Sequence, residues 1–199
     1  MKCPMCGGKD IASIMYGLPA FDEELEQKLK SKEIVLGGCC ITEADSQYHC
    51  NTCNKNFARP PVLLSKHGIE DYRDIVTSIR FCDGGYFGGY LGVLIAKRKG
   101  FITVDVNTSS LHIENPFHRK MEEDEWQKLL DKLYCRLYIH EWKKRFDNPD
   151  ILDGEQWGLE IHLTGGRKRT YSGSNDYPPL WKELKSIFRP FFKEAGIKF

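Results

Sequence analysis

Two short stretches, Cys3-Pro4-Met5-Cys6 and Cys50-Asn51-Thr52-Cys53, decide the fold of the N-terminal part of this chain. Each is a C-x-x-C motif, in which a two-residue spacer lets both sulfurs face one metal ion. Two such motifs supply the four thiolates of a tetrahedral structural zinc site. The sequence therefore predicts a closed Zn²⁺ site, without an open position for water or substrate, whose ligands are Cys3, Cys6, Cys50 and Cys53. A rubredoxin-like iron site is the alternative.

The residues around the two motifs fit this prediction. Gly7 and Asn54 follow the second cysteine of each motif, and both residue types tolerate the left-handed backbone that aims amide groups at the thiolates. Cys39, Cys40 and His49 are further candidates as neighbours of the site or as substitute ligands. Four cysteines already complete the set, so we do not expect any of these three to bind the metal.

Composition and charge exclude several classes of protein. The 199 residues are 41% hydrophobic and 29% charged, with a net charge of +1, which gives no general attraction to nucleic acid. The sequence holds no apolar run long enough to span a bilayer and no apolar signal segment after Met1. We therefore expect a cytoplasmic protein without membrane contact, since clustered cysteines in a reducing compartment bind metal more often than they form disulfides.

The chain divides at Arg59-Pro60-Pro61, because paired prolines stop both helices and central strands. Residues 1–58 are predicted to form a zinc ribbon with a helical insert between the motifs. That helix begins after Asp22, a plausible N-cap, and its apolar stripe comprises Phe21, Leu25 and Leu29.

Residues 62–199 are predicted to form an antiparallel sheet packed against helices, which makes the whole chain an α+β protein. Alternating apolar residues predict strands over 75–82, 90–96, 101–106 and 156–163, and glycine-rich turns connect several of them. A long helix is predicted over 122–146, and a last helix runs from about Pro179 to near Pro190.

Both regions resemble known protein families without an assigned activity. Tyr16-Gly17-Leu18-Pro19 and Leu36-Gly37-Gly38-Cys39 lie between the two cysteine motifs, and together these stretches resemble a small zinc-ribbon module of uncharacterised bacterial proteins. The run 152–157, with 173–178 after the hairpin, resembles a second uncharacterised bacterial family. The resemblance implies a zinc-binding module over about the first 58 residues, and it carries over no catalytic residue.

Motifs for nucleotide binding and metalloprotease chemistry are incomplete. In the turn 83–89, Tyr90 and Leu91 stand where a phosphate-binding loop requires Lys and Ser or Thr, so we expect a plain hairpin or a rim that exposes Tyr86 and Phe87. His140-Glu141 begins like a zinc-protease helix, but Lys144 occupies the place of the second histidine.

Two further clusters support alternative functions. The polar residues Asp153, Glu155, Glu160 and His162 lie around one predicted strand and could form an enzyme site, although a solvated sheet face is the simpler interpretation. Three basic triplets, at 97–99, 143–145 and 167–169, could bind single-stranded nucleic acid if they gathered on one face.

The absence of any complete catalytic motif, together with the closed metal site, favours a non-enzymatic zinc-binding protein. In this interpretation the zinc is structural, the ribbon displays a surface, and residues 62–199 recognise a partner, which we expect to be a protein. Nucleic-acid binding through the basic turns, or an enzyme site near Asp153 and His162, are the alternatives.

Overall fold

The structure, a computed structural model, describes residues 1–40, 42, 45–58, 62–65, 68–85, 89–108, 117–151 and 154–199, without the side chains of residues 62–65, 68 and 69. The described residues form an α+β fold, as the sequence predicts, with helices and two larger sheets in separate segments of the chain. The predicted boundary at Arg59-Pro60-Pro61 lies outside the described residues.

The N-terminal residues form a four-stranded sheet that carries the cysteine motifs. Its strands are β1 (Ile11–Met15), β2 (Ile34–Leu36), β3 (Tyr48–Cys50) and β4 (Lys55–Phe57), in the spatial order β2-β1-β3-β4. β1 pairs parallel with β2 and antiparallel with β3, and β3 pairs antiparallel with β4. The parallel pair needs a crossover, which the insert between β1 and β2 provides.

Helix α1 (Glu23–Lys30) lies in that insert, where the sequence predicts it. The side chain of Asp22 accepts a hydrogen bond of 2.8 Å from the amide of Leu25, which confirms the predicted N-cap. Leu25 is buried, but Phe21 is 67% exposed, so its predicted place in the apolar stripe is wrong. The stripe begins one turn late because Phe21 precedes the N-cap and does not follow the helical period.

The remaining strands form one large sheet and a small hairpin. The large sheet contains β7 (Val76–Gly85), β8 (Gly89–Arg98), β9 (Phe101–Thr108), β10 (Phe117–Met121), β11 (Arg145–Asp147), β12 (Glu155–Leu163) and β13 (Lys168–Ser174). Their order is β10-β9-β8-β7-β12-β13-β11, and all neighbours are antiparallel except β11, which pairs parallel with β13. The hairpin of β5 (Val62–Ser65) and β6 (Gly68–Asp71) precedes the short helix α2 (Tyr72–Ile75).

One face of the large sheet is packed against helices α3 (Glu123–Asp131) and α4 (Trp181–Glu194). Phe81 of β7 stacks on Phe188 of α4, with ring centroids 4.4 Å apart. Such burial of aromatic surface on one face is what stabilises a half-covered sheet. The opposite face carries exposed or half-buried side chains such as Arg80 and Asn107.

The prediction of one long helix over 122–146 is wrong. α3 ends at Asp131 and continues as a π-helical turn, Lys132–Arg136, after which Tyr138 adopts a left-handed backbone with φ 52°. A 3-10 turn, Ile139–Glu141, then leads into β11. The predicted apolar stripe is buried, but tertiary contacts on two sides of the segment override the helical continuation.

The last helix is longer than predicted. α4 runs through Pro190 to Glu194, because Phe191 and Phe192 beyond the proline are buried in the main core. Burial of two aromatic side chains outweighs the loss of one helical hydrogen bond at the proline.

The glycine-rich turn is a hairpin, as predicted. β7 extends to Gly85 and β8 begins at Gly89, so the connection lies between two strands and no helix follows that could hold a phosphate. Tyr86 and Phe87 lie outside the described residues.

Candidate metal centre and its surroundings

The strand pairing brings the two cysteine motifs together. Cys50 ends β3, and Cys53 lies in the tight turn before β4. β1 pairs antiparallel with β3, with Ile11 opposite Cys50, and this pairing places the motif that precedes β1 beside the hairpin. The amide of Cys3 donates to the carbonyl of Gly8 over 2.8 Å, which folds the first motif back on itself.

The four sulfur atoms have the spacing of a tetrahedral thiolate site. All four lie within 4.8 Å of one another. The Sγ atoms of Cys3 and Cys53 are 3.7 Å apart, and those of Cys6 and Cys50 are 3.6 Å apart. A Zn–S bond of about 2.3 Å implies sulfur–sulfur distances of about 3.8 Å in a regular tetrahedron. The sulfur positions therefore fit a metal ion with four thiolate ligands.

The backbone of both motifs has the predicted conformation. Gly7 has φ 74° and Asn54 has φ 57°, both in the left-handed region. Their amides donate to the carbonyls of Cys3 and Cys50 over 2.9 and 2.8 Å, so the two turns are equivalent. The amides of Met5 and Gly8 each lie 3.4 Å from a cysteine sulfur, which lowers the cost of keeping thiolates in a partly buried site.

The electrostatics of the cluster are consistent with a bound cation. Burial raises the pKa of Cys3, and burial together with the neighbouring sulfurs raises the pKa of Cys53 to about 12. Burial also opposes ionisation of Cys50, but the amides of Cys53 and Thr52 outweigh it and lower its pKa to about 7. A bound divalent cation would stabilise all four thiolates together, because it supplies the positive charge that these sulfurs otherwise lack.

The other predicted neighbours stay outside the cluster. Among the described residues, only one set of histidine, cysteine and carboxylate side chains lies close enough to share a metal ion. It consists of the four cysteines of the two C-x-x-C motifs. Cys39 and Cys40 are exposed, with their sulfurs 3.9 Å apart. His49 directs Nδ1 at Asn56 Oδ1, 2.6 Å away. These three residues thus lie outside the four-cysteine cluster.

A contact that the sequence did not predict joins the metal centre to the large sheet. Tyr138 packs into the small core beneath the cysteines, which otherwise contains Cys3, Cys50 and Phe57. Tyr138 has a left-handed backbone, and its ring packs on Phe57 in this core. A tyrosine seldom adopts a positive φ and nothing in the sequence around Tyr138 marks it for one, so only the structure could reveal this contact.

His140 and Glu141 form hydrogen bonds with Ala58, at the end of the N-terminal region. Glu141 Oε1 accepts a hydrogen bond of 3.0 Å from the amide of Ala58, and His140 Nε2 lies 3.3 Å from the carbonyl of the same residue. Burial lowers the pKa of His140 to about 4, so the imidazole is neutral and donates from Nε2. His140 and Glu141, which begin like a zinc-protease motif, thus hold the N-terminal region at its junction with the segment that follows α3.

Two further contacts complete the junction. Lys2 forms an ion pair with Glu183 of α4. Gly7 lies against Pro179, whose Cβ would be 3.4 Å from a Cβ at Gly7. The first cysteine turn therefore contacts the second region through the backbone of Gly7 as well as through the side chain of Lys2.

The structure places the described residues of the predicted polar site on both sides of β12. Glu155 lies on the helix-covered side of β12 with Trp157, where it accepts a hydrogen bond of 2.7 Å from Tyr177. Glu160 and His162 lie on the opposite side of the same strand, since residues of opposite parity face opposite ways. The fourth residue, Asp153, lies outside the described residues.

Neighbouring carboxylates compensate part of the charge of the three basic triplets. Lys97 pairs with Glu123 at 2.6 Å, and Arg167 forms a two-pronged contact with Glu70. In the third triplet Arg145 pairs with Asp147 at 2.9 Å. Lys143 and Lys168 also lie 3.6 Å from Asp176 and 3.4 Å from Glu160. Among the described residues, five of the nine basic side chains therefore have an ion-pair partner, which reduces but does not remove the positive charge available to a nucleic acid.

Comparison with known proteins adds no relative. The chain matches no model of a known protein family, and it matches no curated protein. Within the described part of the chain, no helix combines the length and apolarity that crossing a membrane requires.

Proposed function

We propose that this protein is a non-enzymatic, zinc-binding interaction protein of the cytoplasm. Its four-cysteine zinc ribbon, residues 1–58, is a structural element that holds a protein-binding surface against the region 62–199. The observation that carries the proposal is the set of sulfur separations of 3.6 and 3.7 Å, which match a closed tetrahedral thiolate site. Zinc is preferred over iron because it occupies such closed sites as a purely structural ion.

A structural role agrees with the surroundings of the cluster. Cys3 and Cys50 are buried and belong to the small core that also contains Tyr138. The metal would therefore stabilise the ribbon and its junction at once, as small ribbons rarely have enough apolar core to fold unaided. A cysteine cluster that binds metal instead of forming disulfides is typical of a reducing compartment.

Exposed apolar side chains on the ribbon support an interaction role. Leu18 is 94% exposed and Phe21 is 67% exposed, and both lie in the connection between β1 and α1. Two large apolar side chains exposed three residues apart in one connection are a candidate contact surface for a protein partner.

The metal part of the proposal is tested by elemental analysis of the purified full chain. We expect one zinc and no iron per chain, and loss of the metal in Cys6→Ser and Cys53→Ser. Cys82→Ser is the matched control, because Cys82 lies on the large sheet and should leave the zinc content unchanged. Zinc absent from the wild-type protein purified without chelators, or iron in its place, would overturn the assignment.

The interaction part is tested with a Leu18→Asp/Phe21→Asp variant that retains zinc. Affinity purification from the native host should recover a protein that binds wild type, and binding of that purified protein should weaken at least tenfold with the variant. A partner that binds both forms equally would place recognition elsewhere. Turnover of a small molecule by the pure chain would contradict the non-enzymatic assignment.

A further inference from the structure

The open face of the large sheet carries a trough floored by small side chains. Strand register aligns one outward residue from each of five consecutive strands into a row: Asn107, Gly92, Cys82, Gly158 and Ser172. With strands about 4.8 Å apart, the row runs for about 19 Å across the sheet. Glycines inside strands often mark a place where another molecule approaches the backbone closely.

Larger side chains form walls on both sides of this row. On one side the adjacent row contains Arg80 and Glu160, which lie opposite each other on β7 and β12. On the other side Tyr90 donates a hydrogen bond of 3.1 Å to Gln156 Oε1 and bridges the strands over Gly84. The enclosed volume is about 470 Å³, within the range of about 300–1,000 Å³ that small-molecule sites occupy.

The floor is kept low by close packing. A Cβ on Gly92 would collide with Asn107 Oδ1, and a Cβ on Gly158 would lie 3.0 Å from Cys82 Sγ. The amide of Asn107 and the thiol of Cys82 therefore lie flat over the two glycines. A flat ligand could contact this floor along its whole area.

The charged residues along one wall of the trough indicate what kind of ligand it could bind. Glu160 lies near Lys168, at 3.4 Å, and near His162, at 3.7 Å. Its cross-strand neighbour Arg80 is exposed and has no ion pair among the described residues. A guanidinium that forms no ion pair can bind the carboxylate of a ligand through two parallel hydrogen bonds. Glu160 beside it would repel a dianion such as a phosphate more than a single carboxylate.

We propose that this trough binds a small aromatic carboxylate, with its carboxylate on Arg80 and its ring between Tyr90 and the floor of Gly92, Cys82 and Gly158. The hydroxyl of Ser172 and the amide of Asn107 provide further polar contacts at the two ends of the trough. This site is separate from the metal centre and from the ribbon surface, so it adds a ligand to the proposed interaction function.

The test titrates 2-naphthoate into the zinc-loaded full chain by calorimetry and NMR. We expect saturable binding, with weaker binding of cyclohexanecarboxylate, which lacks the flat ring, and of 2-naphthamide, which lacks the charge. Arg80→Gln should weaken 2-naphthoate binding about 10- to 100-fold, the effect of losing one charged hydrogen-bonding partner. Lys120→Gln, which removes an exposed cation from the same sheet face, should change it less than twofold.

A second variant addresses the floor. Cys82→Leu should abolish binding by filling the trough, with near-ultraviolet circular dichroism as the check that the fold is intact. Absence of saturable 2-naphthoate binding, or equal affinity in wild type and Arg80→Gln, would overturn the proposal. Binding of an oligonucleotide that depends on Arg80, without binding of 2-naphthoate, would assign the face to nucleic acid instead. None of these outcomes affects the metal test.

Discussion

The ring of Tyr138 meets the ring of Phe57 edge to face, with centroids 5.3 Å apart and planes 81° apart. Phe57 ends the last strand of the cysteine-bearing sheet, whereas Tyr138 follows the π-helical turn on the other side of the junction. Such pairs contribute about 0.5–1.5 kcal/mol beyond the area they bury. The contact therefore couples the stability of the metal centre to that of the large sheet.

Replacing Tyr138 by alanine tests this coupling. Because Tyr138 is buried, we expect Tyr138→Ala to lower the free energy of unfolding by about 3–5 kcal/mol, as truncation of buried aromatic residues does. It should also speed the loss of zinc to a competing chelator. The measurements are urea denaturation and a chelator competition assay.

Phe101→Ala is the control for that experiment, since Phe101 is an exposed aromatic residue at the start of β9. It should change stability by less than about 0.5 kcal/mol and leave zinc retention unaltered. A destabilised Tyr138→Ala protein that holds zinc as firmly as wild type would show that the two regions are not coupled through this contact.

The vicinal pair Cys39 and Cys40 gives a sharp test of which thiols hold the metal. Their exposed sulfurs lie 3.9 Å apart and outside the four-cysteine cluster. We expect Cys39→Ser/Cys40→Ser to retain one zinc with unchanged affinity, whereas Cys50→Ser loses it. The measurement is zinc content after dialysis against a weak chelator, and a loss of zinc from the double variant would require a different ligand set.

His140 makes the stability of the junction depend on pH. Its pKa falls from 6.5 to about 4, first because burial disfavours the charged imidazole and then because Arg169 is nearby, while the carbonyl of Ala58 acts in the opposite direction. The unfolded chain therefore binds a proton more tightly than the folded chain. Stability from the neutral imidazole is complete above pH 6.5 and is lost as the pH falls from 6.5 to 4, by an amount on the order of 3 kcal/mol.

The difference between wild type and His140→Gln isolates this effect from acid release of the metal, which both proteins share. Glutamine can still donate to Ala58, so His140→Gln should lose less stability between pH 6.5 and 4.5 than wild type does. His162→Gln is the control, because that half-exposed histidine lies on the open sheet face. Parallel stability curves for wild type and His140→Gln would refute the assignment.

The sequence was sufficient where the structure depends on local spacing. The two C-x-x-C turns, with Gly7 and Asn54 in the left-handed region, depend on consecutive residues, and so does the Asp22 cap. The break at Tyr138 depends on a partner about 80 residues away in the chain, and no local pattern encodes it. That break is why the long helix was predicted wrongly.

The predicted polar site failed for a reason that the sequence does contain. Glu155 shares its parity with Trp157, and Glu160 has the opposite parity, so a single strand could not bring the two carboxylates to one side. The trough around Cys82, in contrast, could not be found from the sequence. Its residues come from five strands, and they become neighbours only through the register of the sheet.

Pro190 offers a last prediction, because α4 continues through it at a cost. Proline lacks the amide that would donate to the carbonyl of Ser186, and the side chain of Pro190 is exposed and adds no core contact. Pro190→Ala should therefore raise the free energy of unfolding, by about 1–3 kcal/mol given the difference in helix propensity. Thermal and urea denaturation measure the change. Arg189→Ala, at an exposed neighbour that keeps its amide, should alter stability by less than about 0.5 kcal/mol. If Pro190→Ala is no more stable than wild type, the proline is not a strained interruption of α4, and the burial of Phe191 and Phe192 does not have to overcome it.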